Sequence, residues 1–245
     1  SVTGKGENKI AIIPVQGVLT SDGPSWYGTN YETITDAAEK AASDSSVKRI
    51  ILSVDSPGGE VTGLPETAAV LGQVAQIKPM SAVVEGLSAS AAYWLTFQAR
   101  DITITPSGEV GSVGVRMMHM DISKMLEDYG VKVTELFSGN HKTEWSPYKP
   151  LAQETIDHET KRLTSMHQDF ISAVNAGRPR ASAEMKDTRF GEGRTFPAKD
   201  ALAHGLVDKI QSPREFYRAM MPAQEQAPDF GLRRAGVEVA KSRFQ

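Results

Sequence analysis

The chain has 245 residues, 40% of them hydrophobic and 23% charged, the balance of a globular protein with one domain or at most two small ones. A net charge of −3 argues against a role dominated by nucleic acid or an anionic membrane surface. The absence of cysteine excludes a disulfide framework, a thiolate metal site, an iron–sulfur cluster and a cysteine nucleophile.

Residues 1–8 are polar and glycine-bearing, and read as a flexible start. Residues 9–19 read as a buried strand, with Pro14 hinting at an edge or a bulge. A loop follows, then a helix over 31–43 with Ile34, Ala37, Ala38 and Ala41 on one face. Residues 47–54 form a second strand ending in Asp55-Ser56-Pro57-Gly58-Gly59. The pattern continues with a helix at 67–77, a strand at 80–84, a short helix at 88–99 and a strand at 101–105. Further alternation predicts a strand at 114–118, a helix at 122–129 and a strand at 131–137. One long helix is expected over 151–176, a shorter one over 198–204 closed by Gly205, and a last strand at 206–210. Residues 9–219 therefore read as one α/β domain, built of repeated βα units around a mainly parallel sheet with a long C-terminal helical region. Residues 220–245, rich in Ala, Gln, Arg and Glu, read as a flexible tail. No run of ~20 apolar residues exists, so the chain carries no membrane anchor in this reading.

Several segments can carry chemistry. Asp55-Ser56-Pro57-Gly58-Gly59 ends a strand with backbone N–H groups free to bind an oxyanion, or simply makes a strand-to-helix turn. In Gly86-Leu87-Ser88-Ala89-Ser90-Ala91-Ala92-Tyr93-Trp94, a serine stands at a helix start, as a nucleophile or as an ordinary cap. Ser88 and Ser90 lie two residues apart, and either hydroxyl is available. The loop Gly108-Glu109-Val110-Gly111-Ser112-Val113-Gly114-Val115 lacks the lysine of a phosphate loop. His119, His141, His158, His167 and His204 are scattered, and no two have a metal-pair spacing. A lysine can act as base in place of histidine when burial lowers its pKa. Lys142, in Ser138-Gly139-Asn140-His141-Lys142-Thr143, is by itself an ordinary loop lysine.

In order along the chain, these segments resemble the motifs of the signal peptide peptidase A family of serine proteases, which have the ClpP/crotonase fold. The matches are Asp55 to Gly59, Ala89 to Trp94, Gly111 to Val115, Ser138 to Lys142, and Ala201-Leu202-Ala203-His204-Gly205-Leu206-Val207-Asp208. Ile12-Ile13-Pro14-Val15-Gln16-Gly17-Val18-Leu19 and Lys132-Val133-Thr134 resemble the bacteriophage and prophage branch, whose members mature the viral head. The resemblance implies a nucleophilic Ser90, a general base Lys142 oriented by Ser112, and oxyanion donors at Gly59 and Ala91. It also implies substrate contacts at Gly58, Ser88 and Gly111, and no metal or organic cofactor. The implied substrates are extended segments of scaffold or capsid protein, bound by strand addition, with small or apolar side chains near the cut. The implied assembly is a homo-oligomer in which the lysine can come from a neighbouring subunit. No nucleic-acid partner is implied, and the implied location is the host cytoplasm or the assembling prohead. The tail reads as a protease-sensitive linker or the remnant of a longer precursor. Alternatives are a cellular signal peptide peptidase of the same chemistry, a crotonase-type acyl-CoA enzyme, and a non-catalytic scaffold-binding module.

Overall fold

The alternating pattern of the first hundred residues folds into βα units, in a computed structural model that describes residues 2–3, 8–23, 28–181 and 192–220. Strands β1 (Val2–Thr3), β2 (Lys9–Thr20) and β3 (Gly28–Asn30) lead into helix α1 (Tyr31–Ser43). Then come β4 (Val47–Gly59), α2 (Leu64–Ile77), β5 (Met80–Ala89), α3 (Ala91–Thr96) and β6 (Asp101–Ile104). The later part holds β7 (Glu109–Gly111), α4 (Ser123–Asp128) and α5 (Gln153–Gly177). It ends with β8 (Thr195–Pro197), α6 (Ala198–Ala203), β9 (Lys209–Ile210) and α7 (Pro213–Met220).

The strands form a nine-stranded sheet in the order β1-β2-β4-β5-β6-β9. Off this path, β3 pairs with β2, and β7 pairs with both β5 and β8. All pairings are parallel except β1–β2 and β7–β8, which are antiparallel. Val2–Thr3, within the segment expected to be a flexible start, pairs with Ile10 and Ala11.

The apolar periods explain the packing. In β4, Ile50, Leu52 and Val54 share one buried cluster with Ile34 and Ala38 of α1, Leu71 of α2 and Tyr93 of α3. Ile51, between them in sequence, joins Ile10, Val83 and Phe216 in a second cluster on the opposite side. A strand apolar on both faces belongs in the centre of a covered parallel sheet. Helix α1 starts where the Asn30 side chain accepts a hydrogen bond from the Thr33 N–H, and α2 carries a proline in its first turn.

Three expectations change. β5 runs on to Ala89, so the helix expected over 88–99 is only Ala91–Thr96. The strands expected at 114–118 and 131–137 are absent: both segments are irregular, and 131–137 is exposed throughout. A strand exists by pairing, and neither segment has a strand partner among the described residues. Helix α7 was not expected, although Ser212 and Glu215 announce it. The Ser212 N–H and hydroxyl donate to the Glu215 carboxylate, and the Glu215 N–H donates back to Ser212 Oγ, a reciprocal cap. The tail read at 220–245 lies outside the described residues except for Met220, the last residue of α7.

Candidate active site

Ser90 stands on the one-residue step between β5 and α3, with φ 53° and ψ −126°. A non-glycine residue at that φ stores roughly 1–3 kcal/mol, and it persists only where its surroundings over-determine it. Here they do. The Ser90 N–H donates to Gly111 O at 2.8 Å, and the Ser90 carbonyl accepts from the Tyr93 and Trp94 N–H groups. The buried Tyr93 hydroxyl donates to Leu206 O at 2.9 Å, so α3 is fastened to the last part of the domain. Burial pushes that phenol's pKa up, so it stays a donor. As the first helical residue, Ala91 has an N–H with no intrahelical acceptor.

The Asp55-to-Gly59 segment closes over this step. Asp55 Oδ1 accepts from the Leu87 N–H at 3.0 Å and ties the end of β4 to β5. Ser56 Oγ donates to Gly17 O at 2.6 Å and accepts from the Gly58 N–H at 3.1 Å. Gly58 has φ 93°, and a Cβ there would come within 2.7–2.9 Å of Ala89 O, Ser90 Cβ and Ala91 N. Only glycine permits both the conformation and the approach. The Glu60 N–H donates to Leu19 O at 2.9 Å. Amides along an extended strand alternate sides, so the Gly59 N–H turns away from β2 toward the edge where β5 lies. The β4–β5 pairing ends at Ser56–Ser88, which leaves that edge open beside Ser90. The Tyr31 hydroxyl holds the following Glu60 carbonyl at 2.6 Å.

Two cavities meet at Ser90. A cleft of about 720 Å³ is lined by Gly58, Gly59, Ser90 and Ser112, and also by Val18, Arg116, His167 and Glu192. A smaller pocket of about 90 Å³ shares Gly59 and Ser90 with it and adds Ala91, Leu64, Trp94 and Phe170. Ser112 has φ 54°, and its N–H donates to Arg194 O at 2.7 Å. Gly111 lies one residue earlier on β7, paired with Ala89, and lines neither cavity.

Five of the eight residues singled out in the sequence line these cavities: Gly58, Gly59, Ser90, Ala91 and Ser112. Ser88, expected to touch substrate, lines neither cavity. It is fully buried, and its hydroxyl pairs with Thr96 Oγ1 at 2.8 Å, facing into the molecule because side chains alternate along β5. Lys142 is exposed on a turn in which its N–H donates to Gly139 O, and it also lines neither cavity. The neighbouring His141 pairs with Glu144, whose hydrogen bond and charge raise the histidine pKa. His167, which the sequence offered only as one of five scattered histidines, lines the larger cleft. Among the described residues, no cluster of three or more His, Asp or Glu side chains could hold a metal ion.

The late Ala201-to-Asp208 segment supports the site from behind. The buried Arg178 guanidinium donates to both Asp208 oxygens at 2.8 and 3.0 Å and to Gly205 O. Burial alone would raise the Asp208 carboxyl pKa. Hydrogen bonds from Arg178 and the Ile102 N–H outweigh it and hold the pKa below the ordinary carboxylate value. The segment thus joins the end of α5 to β6, next to the Leu206 carbonyl that anchors Tyr93.

Comparisons with known proteins give the family and the fold. A model of Peptidase family S49 matches residues 73–227. Capsid assembly protease C of Escherichia phage lambda is 31% identical over 220 residues, covering 88% of this chain and 49% of that protein. Head-tail preconnector protein GP5 of Enterobacteria phage P21 is 27% identical over 220 residues, covering 88% of this chain and 43% of that protein. The chain spans about half the length of the curated relatives it matches. Among solved structures, a ClpP1 variant from Listeria monocytogenes aligns with a TM-score of 0.52 at 14% identity, covering 84% of this chain and 93% of that one. An enoyl-CoA hydratase/isomerase family member aligns with a TM-score of 0.52 at 12% identity, covering 89% and 72%. The fold is the α/β fold of ClpP and the crotonases. Among the described residues, no helix is long and apolar enough to cross a membrane.

Proposed function

This chain belongs to peptidase family S49, and from that premise we propose a serine endopeptidase in which Ser90 attacks the scissile carbonyl and Lys142 takes the hydroxyl proton. The observation that carries the reading is the over-determined positive φ of Ser90, on the rim of a cleft, with the Gly59 and Ala91 amides beside it. In the reaction, the serine hydroxyl gives its proton to the neutral lysine amine as Oγ bonds to the carbonyl carbon. The oxyanion is received by the Gly59 and Ala91 N–H groups. The lysine then returns the proton to the leaving amine, and water repeats the cycle on the acyl-enzyme. Losing one oxyanion donor costs about 10²–10³ in rate. Ser112, on the wall of the same cleft, orients the lysine amine.

A general base must be neutral, and burial is what brings a lysine pKa down from ~10.4. Lys142 is exposed within one chain. The segment around it carries Met118, Tyr129, Leu136 and Phe137, all more than half exposed, and the irregular backbone of 131–137, which joins no strand. The proposed enzyme is therefore a homo-oligomer whose contacts cover this arm and bring a lysine to each Ser90. Extended peptide would lie along 113–116, with Gly114, Val115 and Arg116 on the cleft wall. The names of the phage relatives favour scaffold or capsid protein as substrate, in the host cytoplasm or the assembling prohead.

The test is cleavage of a mixed peptide library, with products read by mass spectrometry. Ser90→Ala and Lys142→Ala are each expected to abolish cleavage, the serine change by roughly 10⁶-fold, while Ser88→Ala keeps it. Mixing the two inactive variants restores cleavage if the lysine crosses between subunits. A stable monomer with full activity would refute the assembly, and cleavage by Ser90→Ala would refute the nucleophile.

A further inference from the structure

Strand β5 reaches Ser90 through a break in its pairing with β4. The two strands pair residue for residue up to Val54 and Val84, and pair again at Ser56 and Ser88. Asp55 therefore faces three residues, Glu85, Gly86 and Leu87, and two residues of β5 have no counterpart in β4. Bulges are rare in parallel pairs and over-represented beside active sites, and they leave their extra residues off the ladder. Two strand residues amount to about 6–7 Å of travel along β5. In the register that precedes the bulge, Ser88 would stand level with Gly58; in the register that follows it, Ser90 does. The close approach of Gly58 to the Ser90 Cβ depends on that shift.

The Asp55 side chain fills the bulge. Its Oδ1 accepts from the Leu87 N–H at 3.0 Å. A Cβ on Gly86 would come within 2.6 Å of the same oxygen and 3.2 Å of the carboxyl carbon, so the carboxylate occupies the space that a side chain at 86 would need. The first bulge residue is braced as well. The Glu85 carboxylate accepts from Ser53 Oγ at 3.0 Å and from the Tyr217 hydroxyl of α7 at 2.7 Å. Asp55 lines neither cavity at Ser90, so its influence on the chemistry runs through β5.

Resting on the reading of Ser90 as nucleophile, we infer that Asp55 is a positioning residue: its carboxylate holds the 85–87 bulge, and the bulge sets Ser90 beside Gly58 and the Gly59 and Ala91 amides. Without that acceptor the Leu87 N–H loses its partner and the bulge is free to relax along the strand. A misplacement of about 1 Å at a reacting atom costs about 10²-fold in rate, well short of the full two-residue slip. The carboxylate serves here as a hydrogen-bond acceptor, and the amide oxygen of asparagine can take its place.

The test compares wild type with Asp55→Ala, Asp55→Asn, Gly86→Ala and the double variant Asp55→Ala with Gly86→Ala. Two readouts are taken well below each melting temperature: kcat and KM for one cleaved peptide, and hydrogen exchange at the Leu87 amide by mass spectrometry. Asp55→Ala should lower kcat about 10²-fold with KM little changed, and should speed Leu87 exchange about tenfold or more. Asp55→Asn should retain most of the rate and the protection. Gly86→Ala, whose Cβ displaces the carboxylate, should lose about as much as Asp55→Ala. The double variant should lose no more than either single change, because both break one contact. Wild-type cleavage with kcat unmoved in Asp55→Ala, or with additive losses in the double variant, would overturn the positioning role and leave the protease standing. A loss seen in KM alone would also overturn it. If wild type cleaves nothing, the protease reading falls, and exchange alone judges the brace: a Leu87 amide no faster in Asp55→Ala overturns that too, and a faster one upholds it.

Discussion

The two halves of the proposed machinery are built differently. The Ser90 half is enclosed and cross-tied. Gly58 packs against the Ser90 Cβ, the Ser90 N–H is held by Gly111, and Tyr93 is pinned to Leu206. The Lys142 half lies on irregular, exposed chain, with Leu136 94% exposed and 131–137 outside any described strand. The first half has a conformation that one chain can enforce. The second exposes apolar side chains and irregular backbone that no other described part of the chain covers, and in the proposed assembly a neighbouring subunit covers them. A nucleophile that is strained must be held in advance. A base that needs burial can be completed by assembly.

Three variants probe that contrast, beginning with the largest effect. The double change Leu136→Asp and Phe137→Asp should abolish peptide cleavage and shift sedimentation to the monomer. The melting temperature of the monomer should hold, because surface changes away from packed features fall within about ±0.5 kcal/mol. Cleavage at the wild-type rate by a sedimenting monomer would end the comparison.

Next is Asp208→Asn, on the enclosed side. It leaves the buried Arg178 without its counter-ion, a loss of about 3–5 kcal/mol for a buried pair. Its pH dependence has a definite sign. The Asp208 pKa is lower folded than unfolded, so its contribution is full above the ordinary carboxylate value. That contribution fades as pH falls through the lowered folded value. Urea midpoints for wild type should therefore drop on acidification, and the difference from Asp208→Asn should shrink toward low pH. A difference independent of pH would contradict the pairing.

A smaller stability loss than that of Asp208→Asn is expected for Gly58→Ala. A Cβ would meet Ala89 O and Ser90 Cβ at 2.7 and 2.8 Å, and φ 93° is unfavourable for alanine. The strain is of order 1–3 kcal/mol, but it falls on the proposed nucleophile, so kcat should drop far more than the melting temperature. Equal losses in both, or neither, would mean that the contact does not set the Ser90 geometry.

Much of this was legible in the residue pattern, and the exceptions have physical causes. The buried runs of β2, β4 and β5 and the apolar face of α1 depend on side-chain period, which any reader of the chain can count. The strand expected at 131–137 had the right residues, but strand formation is decided by a neighbour, and residue type names no neighbour. Helix α7 was passed over because eight residues are too few for a period, although its Ser212–Glu215 cap was written in the sequence. The Ala201-to-Asp208 motif was visible as a pattern, but its partner Arg178 was not, since thirty residues separate the two ends of the bond between Arg178 and Asp208.

By itself, the sequence determined the βα alternation, the glycine pair at 58–59, and a serine at the start of a helix. Each of these follows from local sterics and periodicity. Tertiary structure placed Ser90 and not Ser88 on the cleft, because β5 continues to Ala89 and its alternation buries Ser88 against Thr96. It also decided that Leu64, Trp94, Met166 and Phe170, from three helices, meet beside Ser90. Pockets and pairings are properties of distances between remote residues, and those distances exist only once the sheet has brought the chain together.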